Sequence, residues 1–279
     1  MFQRLLALGL VSLATPAFAQ VPTDLPACYY TDPPGASTRT ELPNRVTVEL
    51  SRSTDADAVE EACSLRVTDA TGRVTLSRTA FNARVMPATG NDLDGDGVVD
   101  AVFSVDDGGG NRCCWNTVVV SLSTPARVRA VAPEPLGWQF DPERKRFVAE
   151  EVVAFYQLGP DMASSPVAIR FHRLGASGFE DVTRDYCAQL LDPQASGGFA
   201  RADQWRSLSP ERRRAARSRT GDAHENEQTG LDAISLALQF HICGRPKDAD
   251  ALLTDAFPLG QASTTRQRVA DAVASYRQK

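Results

Sequence analysis

A strongly acidic loop with the sequence DLDGDGVVD occupies positions 92–100, between two short apolar segments at 81–86 and 101–105. Each segment is rich in apolar residues and short, which favours a β-strand. Four carboxylates within nine residues repel one another at close range. The loop is therefore either a solvated acidic turn between two strands or a site that holds a cation.

The spacing of this acidic loop suits the oxygen donors that calcium prefers. Calcium is a hard cation that takes six to eight oxygen ligands, and acids at alternate loop positions can turn inward to supply them. A glycine at the sixth position, Gly97, permits a sharp turn. The predicted ligands are the carboxylates at positions 1, 3, 5 and 9 and the backbone carbonyl at position 7, namely Asp92, Asp94, Asp96, Asp100 and Val98.

The acidic loop does not match an EF-hand, because that motif needs a glutamate at position 12 and a helix on each side. Here position 12 is Phe103, and the flanking segments are predicted strands. The pattern D-x-D-x-D-G-hydrophobic-x-D leading into an apolar strand resembles the FG-GAP or VCBS-type repeat, over residues of about 80–122. The resemblance implies a calcium loop that joins two strands of a propeller blade, with the ligand positions given above.

Proteins of that family close several repeats into a ring, whereas this chain has one clear loop of the kind. The segment 139–148 is at most a degenerate second copy without ligands. One or two units cannot close a propeller. We therefore predict a small antiparallel sheet or sandwich that carries a single structural calcium ion.

The first 19 residues have the features of a secretory signal peptide. Arg4 gives a basic start, an apolar run follows from Leu5 to Leu13, and small residues Ala17 and Ala19 occupy the positions that signal peptidase inspects. We expect cleavage after Ala19 and a periplasmic or secreted protein; a buried N-terminal helix is the alternative. No later stretch approaches the roughly 20 apolar residues of a membrane-spanning helix.

Six cysteines follow the predicted cleavage site, namely Cys28, Cys63, Cys113, Cys114, Cys187 and Cys243. An even number in an exported chain indicates disulfide bonds, but six cysteines allow 15 connectivities and the spacing does not select one. We predict one bridge in each region of the chain, Cys28–Cys63 and Cys187–Cys243. A bond between the remaining neighbours, Cys113 and Cys114, needs an unusual backbone, because adjacent strand residues point to opposite faces.

The character of the chain changes near residue 190. We predict an α+β fold, with an antiparallel β-rich domain at 20–190 that carries the calcium-type hairpin loop, followed by a small α-helical region at 200–279. The first part of the β-rich domain, 20–44, is expected to be an extended segment. Alternation and turn residues predict strands at 45–50, 65–67, 74–76, 81–86, 101–105, 117–122, 147–158 and 167–174. Capping and breaking residues predict helices after Pro210, over 231–243 up to Gly244, after Pro246 and over 263–276.

The charge pattern bears on possible partners. A net charge of −5 argues against nucleic acid as a general partner. One stretch is basic, with Glu211 as its one acid and the arginines Arg206, Arg212, Arg213, Arg214, Arg217 and Arg219. This stretch predicts either a solvated helix face or a surface for an acidic partner. Residues 236–258 resemble the interior of a tetratricopeptide unit, which would imply protein binding. Such repeats need about three copies to bury a continuous core, so an ordinary αα-hairpin is expected instead.

Motifs for catalysis are scarce in this sequence. The histidines, His172, His224 and His241, lie in no metal-ligand motif, and neither GxSxG nor HExxH is present. Asp106 and Asp107, beside three glycines, indicate an exposed turn. In the alternative interpretation they are the general acid and base of an exported hydrolase that acts on cell-wall or polysaccharide material.

Two tryptophans, Trp115 and Trp138, favour packing in a β core over stacking on a sugar. Taken with the loop and the signal peptide, these features predict an exported, non-catalytic calcium-binding protein of the bacterial cell envelope, with a binding or structural role. The alternatives are the exported hydrolase and a helical protein-interaction module.

Overall fold

The structure is a computed structural model, and it describes residues 25–108, 114–133, 136–152, 166–192, 207–218 and 223–276. The predicted signal peptide at 1–19 lies outside these residues, as do Cys113 and the end of the strand predicted at 147–158. Within the described part, antiparallel strands come first and helices follow. The predicted α+β class and the order of its two regions are therefore confirmed.

The strands are β1 (Ala27–Cys28), β2 (Ser37–Leu42), β3 (Val46–Arg52), β4 (Cys63–Thr68), β5 (Val74–Ala80), β6 (Asn82–Val85), β7 (Asp100–Asp106), β8 (Trp115–Ser121), β9 (Arg127–Pro133), β10 (Leu136–Asp141), β11 (Arg146–Val152), β12 (Val167–Gly175) and β13 (Gly178–Asp181). The helices are α1 (Cys187–Leu191), α2 (Pro210–Ser218), α3 (Ala223–Ile242), α4 (Pro246–Ala256) and α5 (Leu259–Tyr276). Short 3-10 turns lie at Pro43–Arg45 and Thr183–Tyr186.

The strands form a central sheet (β1-β6-β7-β8-β9) between an N-terminal sheet (β2-β3-β4-β5) and a third sheet (β10-β11-β12-β13). Alternate side chains of a strand point to opposite faces of its sheet. In β7, Phe103 shares a core with Leu65 of the N-terminal sheet, whereas Val102 shares a core with Phe147 of the third sheet. Because both faces are covered, every residue of β7 is buried.

The β4–β5 hairpin of the N-terminal sheet agrees with the sequence prediction. Its turn is closed by Asp69, whose Oδ1 accepts hydrogen bonds from the Thr71 hydroxyl and from the backbone N–H groups of Thr71 and Arg73. These bonds, the one from the Thr71 hydroxyl above all, lower the pKa of the Asp69 carboxyl to about 2. The turn is therefore held by an ionised side chain at neutral pH.

The segment expected to be only extended, 20–44, contains the strand β2. This strand pairs with β3 along its whole length, from Ser37 opposite Ser51 to Leu42 opposite Val46. β2 lies at the edge of its sheet and most of its side chains are exposed. An exposed edge strand lacks the apolar alternation that marks a half-buried strand, so the sequence pattern did not predict it.

Both predicted disulfides are present. Cys28 in β1 is bonded to Cys63 in β4, and this bond joins the central and N-terminal sheets. Cys187 at the start of α1 is bonded to Cys243, which directly follows α3. Cys114 has a positive φ of 74°, an uncommon conformation for a residue with a side chain. The two bonds connect elements that are far apart in the chain.

The end of α3 and the start of α4 lie where the sequence predicts, whereas α3 and α5 begin earlier than the predicted residues 231 and 263. Gly244 has a φ of 72° and follows the end of α3, and Pro246 starts α4. Leu238, Leu253 and Val269 pack together in the core of α3, α4 and α5. Among the residues that the structure describes, no helix is both long enough and apolar enough to cross a membrane.

Gln239 of α3 joins the helices to the third sheet. Its side chain is 2% exposed, its Oε1 accepts a hydrogen bond from the Ile169 N–H at 2.9 Å, and its Nε2 donates to the Ile169 carbonyl at 3.3 Å. β13 pairs with β12 at His172–Gly175 but not at Ile169. The buried amide therefore satisfies the backbone of β12 beyond the end of β13.

Candidate metal centre

The acidic loop joins β6 to β7, and backbone pairing fixes its base. The Gly90 N–H donates to the Asp100 carbonyl at 2.8 Å, and the Asp100 N–H donates to the Asn91 carbonyl at 2.8 Å. Thr89 directly precedes Gly90, and its buried hydroxyl accepts a hydrogen bond from the Val102 N–H at 2.9 Å. These hydrogen bonds therefore fix both ends of the loop to the central sheet.

Three of the predicted ligands converge in the structure. Carboxylate oxygens of Asp92, Asp94 and Asp100 all lie within 4.8 Å of one another. Asp100 is 2% exposed, and Asp92 and Asp94 are partly buried. A donor set made only of carboxylate oxygens suits a hard cation such as calcium and lacks the nitrogen and sulfur ligands typical of zinc. The residues present therefore fit the predicted ion.

The loop backbone wraps around the first of these carboxylates. Asp92 accepts a hydrogen bond from the Gly95 N–H at 2.7 Å and one from the Gly97 N–H at 3.3 Å. Gly95 and Gly97 have φ values of 83° and 85°, which favour glycine. The sharp turn predicted at Gly97 is confirmed, and Gly95 makes a second one. Together they bring the backbone back toward Asp92.

Asp96, the fourth predicted carboxylate ligand, lies apart from these three. Asp96 is exposed, and its Oδ1 accepts a hydrogen bond from the Val98 N–H at 2.8 Å. Its carboxylate does not belong to the group formed by Asp92, Asp94 and Asp100. The spacing predicts that the acids at positions 1, 3 and 5 are all ligands. In the structure, the acids at positions 1 and 3 lie close to Asp100, and the acid at position 5 does not belong to this group.

Two cations from other elements contact the loop, and sequence reasoning missed both. The Lys145 Nζ, in the turn between β10 and β11, lies 2.8 Å from the Asp92 Oδ2. The Arg129 guanidinium, in β9, donates a hydrogen bond to the Asp94 Oδ2. These partners are 53 and 35 residues away in the chain. Local spacing carries no signal for them, because the Lys145 contact depends on how the third sheet packs on the central one and the Arg129 contact on the place of β9 in the central sheet.

The environments of Asp100 and Asp92 move their acidities in opposite directions. Burial, reinforced by the negative charges of Asp94, Asp96 and Asp92, raises the pKa of the Asp100 carboxyl to about 7, although it accepts a hydrogen bond from the Leu93 N–H. Burial acts in the same sense on Asp92. There the bonds from Lys145 and from the loop N–H groups outweigh it and hold the pKa of Asp92 below its ordinary value. The surroundings of Asp100 thus disfavour its negative charge, whereas those of Asp92 favour it.

The other acidic pair, Asp106 and Asp107, has separate partners. The Asp106 side chain is buried, and it accepts hydrogen bonds from the Asn82 amide at 2.9 Å and from the Gly108 N–H at 3.1 Å. Asp107 is exposed, and it accepts a hydrogen bond from the Asn116 amide at 2.6 Å. Asp106 is therefore closed to solvent, an arrangement that lends no support to its use as a catalytic acid or base.

The remaining candidates from the sequence are Trp138 and the three histidines. Trp138 stacks on Phe147 with ring centroids 4.7 Å apart and belongs to the margin of the core between the central and third sheets. The core role predicted for Trp138 is therefore confirmed. His172 lies beside it, with its Nε2 at 2.7 Å from the Glu151 Oε1. The side chain of His224 lies outside the described residues, and His241 is partly buried in α3.

The basic stretch coincides with α2. The Ser209 Oγ caps it by accepting a hydrogen bond from the Arg212 N–H at 3.3 Å. Arg212 and Arg214 are exposed, and the Arg214 guanidinium lies 3.4 Å from the Glu211 carboxylate. Arg206, Arg219 and the side chain of Arg217 lie outside the part that the structure describes. Arg212 and Arg214 thus lie on the exposed side of α2, whereas Arg213 is partly buried.

Comparisons with known proteins do not place the chain in a family. No protein-family model, no curated protein and no solved structure matches it. The similarity of the acidic loop to the FG-GAP or VCBS-type repeat, and that of 236–258 to a tetratricopeptide unit, therefore stay predictions from the sequence. What can be said of function depends on the geometry of the site itself.

Proposed function

We propose that this protein is an exported, non-catalytic calcium-binding protein, and that calcium stabilises the β6–β7 hairpin for a binding or structural role in the cell envelope. The observation that carries the proposal is the convergence of Asp92 and Asp94 on the buried carboxylate of Asp100, all within 4.8 Å. Two disulfides within the described residues support an oxidising compartment, periplasmic or extracellular.

Asp92, Asp94 and Asp100 are the residues that would hold the ion. Bound calcium supplies positive charge at the point where the three carboxylates meet. Because Asp100 is the first residue of β7 and Asp92 begins the loop, binding at both would link the loop to the most buried strand of the central sheet. A site that forms only in the folded chain stabilises that chain by mass action.

Thermal unfolding in EDTA, in millimolar calcium and in millimolar magnesium tests the proposal. At calcium concentrations a hundredfold above Kd we expect about 2.7 kcal/mol of added stability. In a chain of this size that corresponds to a rise in Tm of roughly 5–10 °C. Magnesium should give a smaller rise, because it demands regular octahedral geometry and releases its water reluctantly.

A matched pair of variants separates the site from general charge effects. Asp92→Asn removes one of the converging carboxylates, whereas Asp107→Asn removes an exposed carboxylate elsewhere in the same sheet. We expect the calcium-dependent rise in Tm to disappear in the first variant and to persist in the second. Equal unfolding of the wild type in EDTA and in calcium would show that the loop is only an acidic turn.

A further inference from the structure

The Lys145 side chain, from the turn between β10 and β11, contacts the acidic loop at Asp92 and lies close to Gly95. Its Nζ is 2.8 Å from the Asp92 Oδ2, and a Cβ placed on Gly95 would be 3.5 Å from the same Nζ. The backbone at Lys145 has a positive φ of 45°. This contact between a lysine of the third sheet and a ligand of the proposed site is independent of the loop spacing, and it shows that the loop attracts a cation from elsewhere in the fold.

The turn that carries Lys145 is held firmly on its own side. Asp141 accepts hydrogen bonds from the Arg144 N–H and from the Arg146 Nε, each at 3.2 Å. Arg146 is 4% exposed, and its guanidinium lies 4.1 Å from the ring centroid of Phe171 and 3.9 Å from that of Tyr186. The base of the turn is therefore anchored, and the approach of Lys145 to the loop follows from the packing of the third sheet.

The two cations that reach the loop differ in their freedom to leave it. The Lys145 side chain is 44% exposed, and its partner Asp92 is 24% exposed. The Arg129 side chain is 16% exposed and its partner Asp94 only 8%. A half-exposed lysine ammonium can move into water at little cost, since exposed ion pairs stabilise a fold only weakly. The Arg129 guanidinium is less exposed than the Lys145 ammonium, so its movement into water would change its surroundings more.

From this geometry we propose that Lys145 competes with calcium for Asp92 and thereby sets the affinity of the site. The inference rests on the proposed calcium function. A cation that binds the Asp92 Oδ2 displaces the ammonium from that oxygen, and one that binds the Oδ1 lies close to the ammonium. Even when displaced, the lysine remains close enough to repel a divalent ion. Lys145 thus weakens calcium binding while stabilising the loop when calcium is scarce.

Calcium titration of the full mature chain, by calorimetry or against a chromophoric chelator, tests this competition. We expect Lys145→Met to tighten calcium binding about tenfold, which corresponds to about 1.4 kcal/mol. Lys145→Arg keeps the charge and should not tighten binding. Lys247→Met, which removes an exposed lysine at the start of α4, is the matched control and should leave Kd unchanged. The gain should shrink as salt rises.

Thermal unfolding of the same variants gives a readout that a merely structural lysine would not produce. In EDTA, Lys145→Met should melt below the wild type, because Asp92 loses its counterion; in saturating calcium the difference should close or reverse. Calcium affinity that is equal in the two proteins, or weaker in Lys145→Met, would overturn the competition while leaving the calcium function intact. Absence of calcium binding in both proteins would overturn the competition and the proposed function together.

Discussion

The two ends of β7 bury a carboxylate each, and the surroundings of these two carboxylates differ. Asp106 at the far end is 3% exposed and accepts hydrogen bonds from the Asn82 amide and the Gly108 N–H. Asp100 at the near end is 2% exposed, and Asp92 and Asp94 stand within 4.8 Å of it. Side-chain and backbone donors hold Asp106, whereas Asp100, besides its bond from the Leu93 N–H, adds to a group of negative charges. Burial is therefore common to both carboxylates, and the two neighbouring carboxylates distinguish Asp100.

The largest expected difference between these two ends is in calcium dependence. Asp100→Asn should abolish the calcium-dependent rise in Tm, because it removes the buried member of the converging group. Asp106→Ala should lower stability by about 1–3 kcal/mol, because the Asn82 amide and the Gly108 N–H lose their acceptor. That loss should be equal in EDTA and in calcium, as measured by urea unfolding.

The opposite result would contradict this comparison between Asp100 and Asp106. Calcium dependence that vanishes in Asp106→Ala but survives in Asp100→Asn would move the metal site to the far end of β7. Because Asp106→Ala is destabilising in its own right, Asp106→Asn serves as a milder second variant. It keeps the size of the side chain and one oxygen acceptor.

The second difference concerns pH. The pKa of Asp100 is raised to about 7, whereas an unfolded aspartate titrates near 3.9. Between these values the folded chain holds a proton that the unfolded chain has released. In EDTA we therefore expect stability to fall as pH rises through this window, by at most about 1.4 kcal/mol per pH unit from this group. Saturating calcium should remove the fall, since it favours the ionised carboxylate.

Urea unfolding in EDTA at several values between pH 5 and pH 8 would measure this slope, with Asp100→Asn as the reference that lacks it. Asp69 does not interfere, because its pKa is lowered to about 2. Its contribution is complete above the unfolded value and is lost only as pH falls toward 2. A wild-type slope equal to that of Asp100→Asn would mean that Asp100 is ionised across the window without penalty.

Patterns that are local in the sequence predicted the positions of much of the fold. The apolar alternation of β3, the turn at Asp69, and the helix boundary at Gly244 are each determined within a few residues. The strands that escaped prediction, such as β2 and β13, are edge strands with mostly polar or partly exposed side chains. Their pairing depends on neighbours that a single segment does not reveal.

The candidate site divides in the same way. Asp92, Asp94 and Asp100 followed from the spacing of the loop, because all three lie on one short turn. Lys145 and Arg129 could not be predicted, since their positions depend on the packing of the third sheet and on the register of β9. Sequence spacing thus predicted the three carboxylates that converge, and only the packed sheets showed which cations accompany them.

The smallest expected effect tests how far spacing can rank the ligands. Asp96 holds the fifth loop position, yet it is exposed and bonded to the Val98 N–H, outside the group of Asp92, Asp94 and Asp100. We expect Asp96→Asn to weaken calcium binding only a few-fold, because water and salt screen the attraction between an exposed carboxylate and the bound ion. Asp92→Asn should weaken it far more in the same titration. Equal losses from the two variants would mean that Asp96 turns inward when calcium binds, and that loop spacing ranks the ligands better than the positions of their side chains.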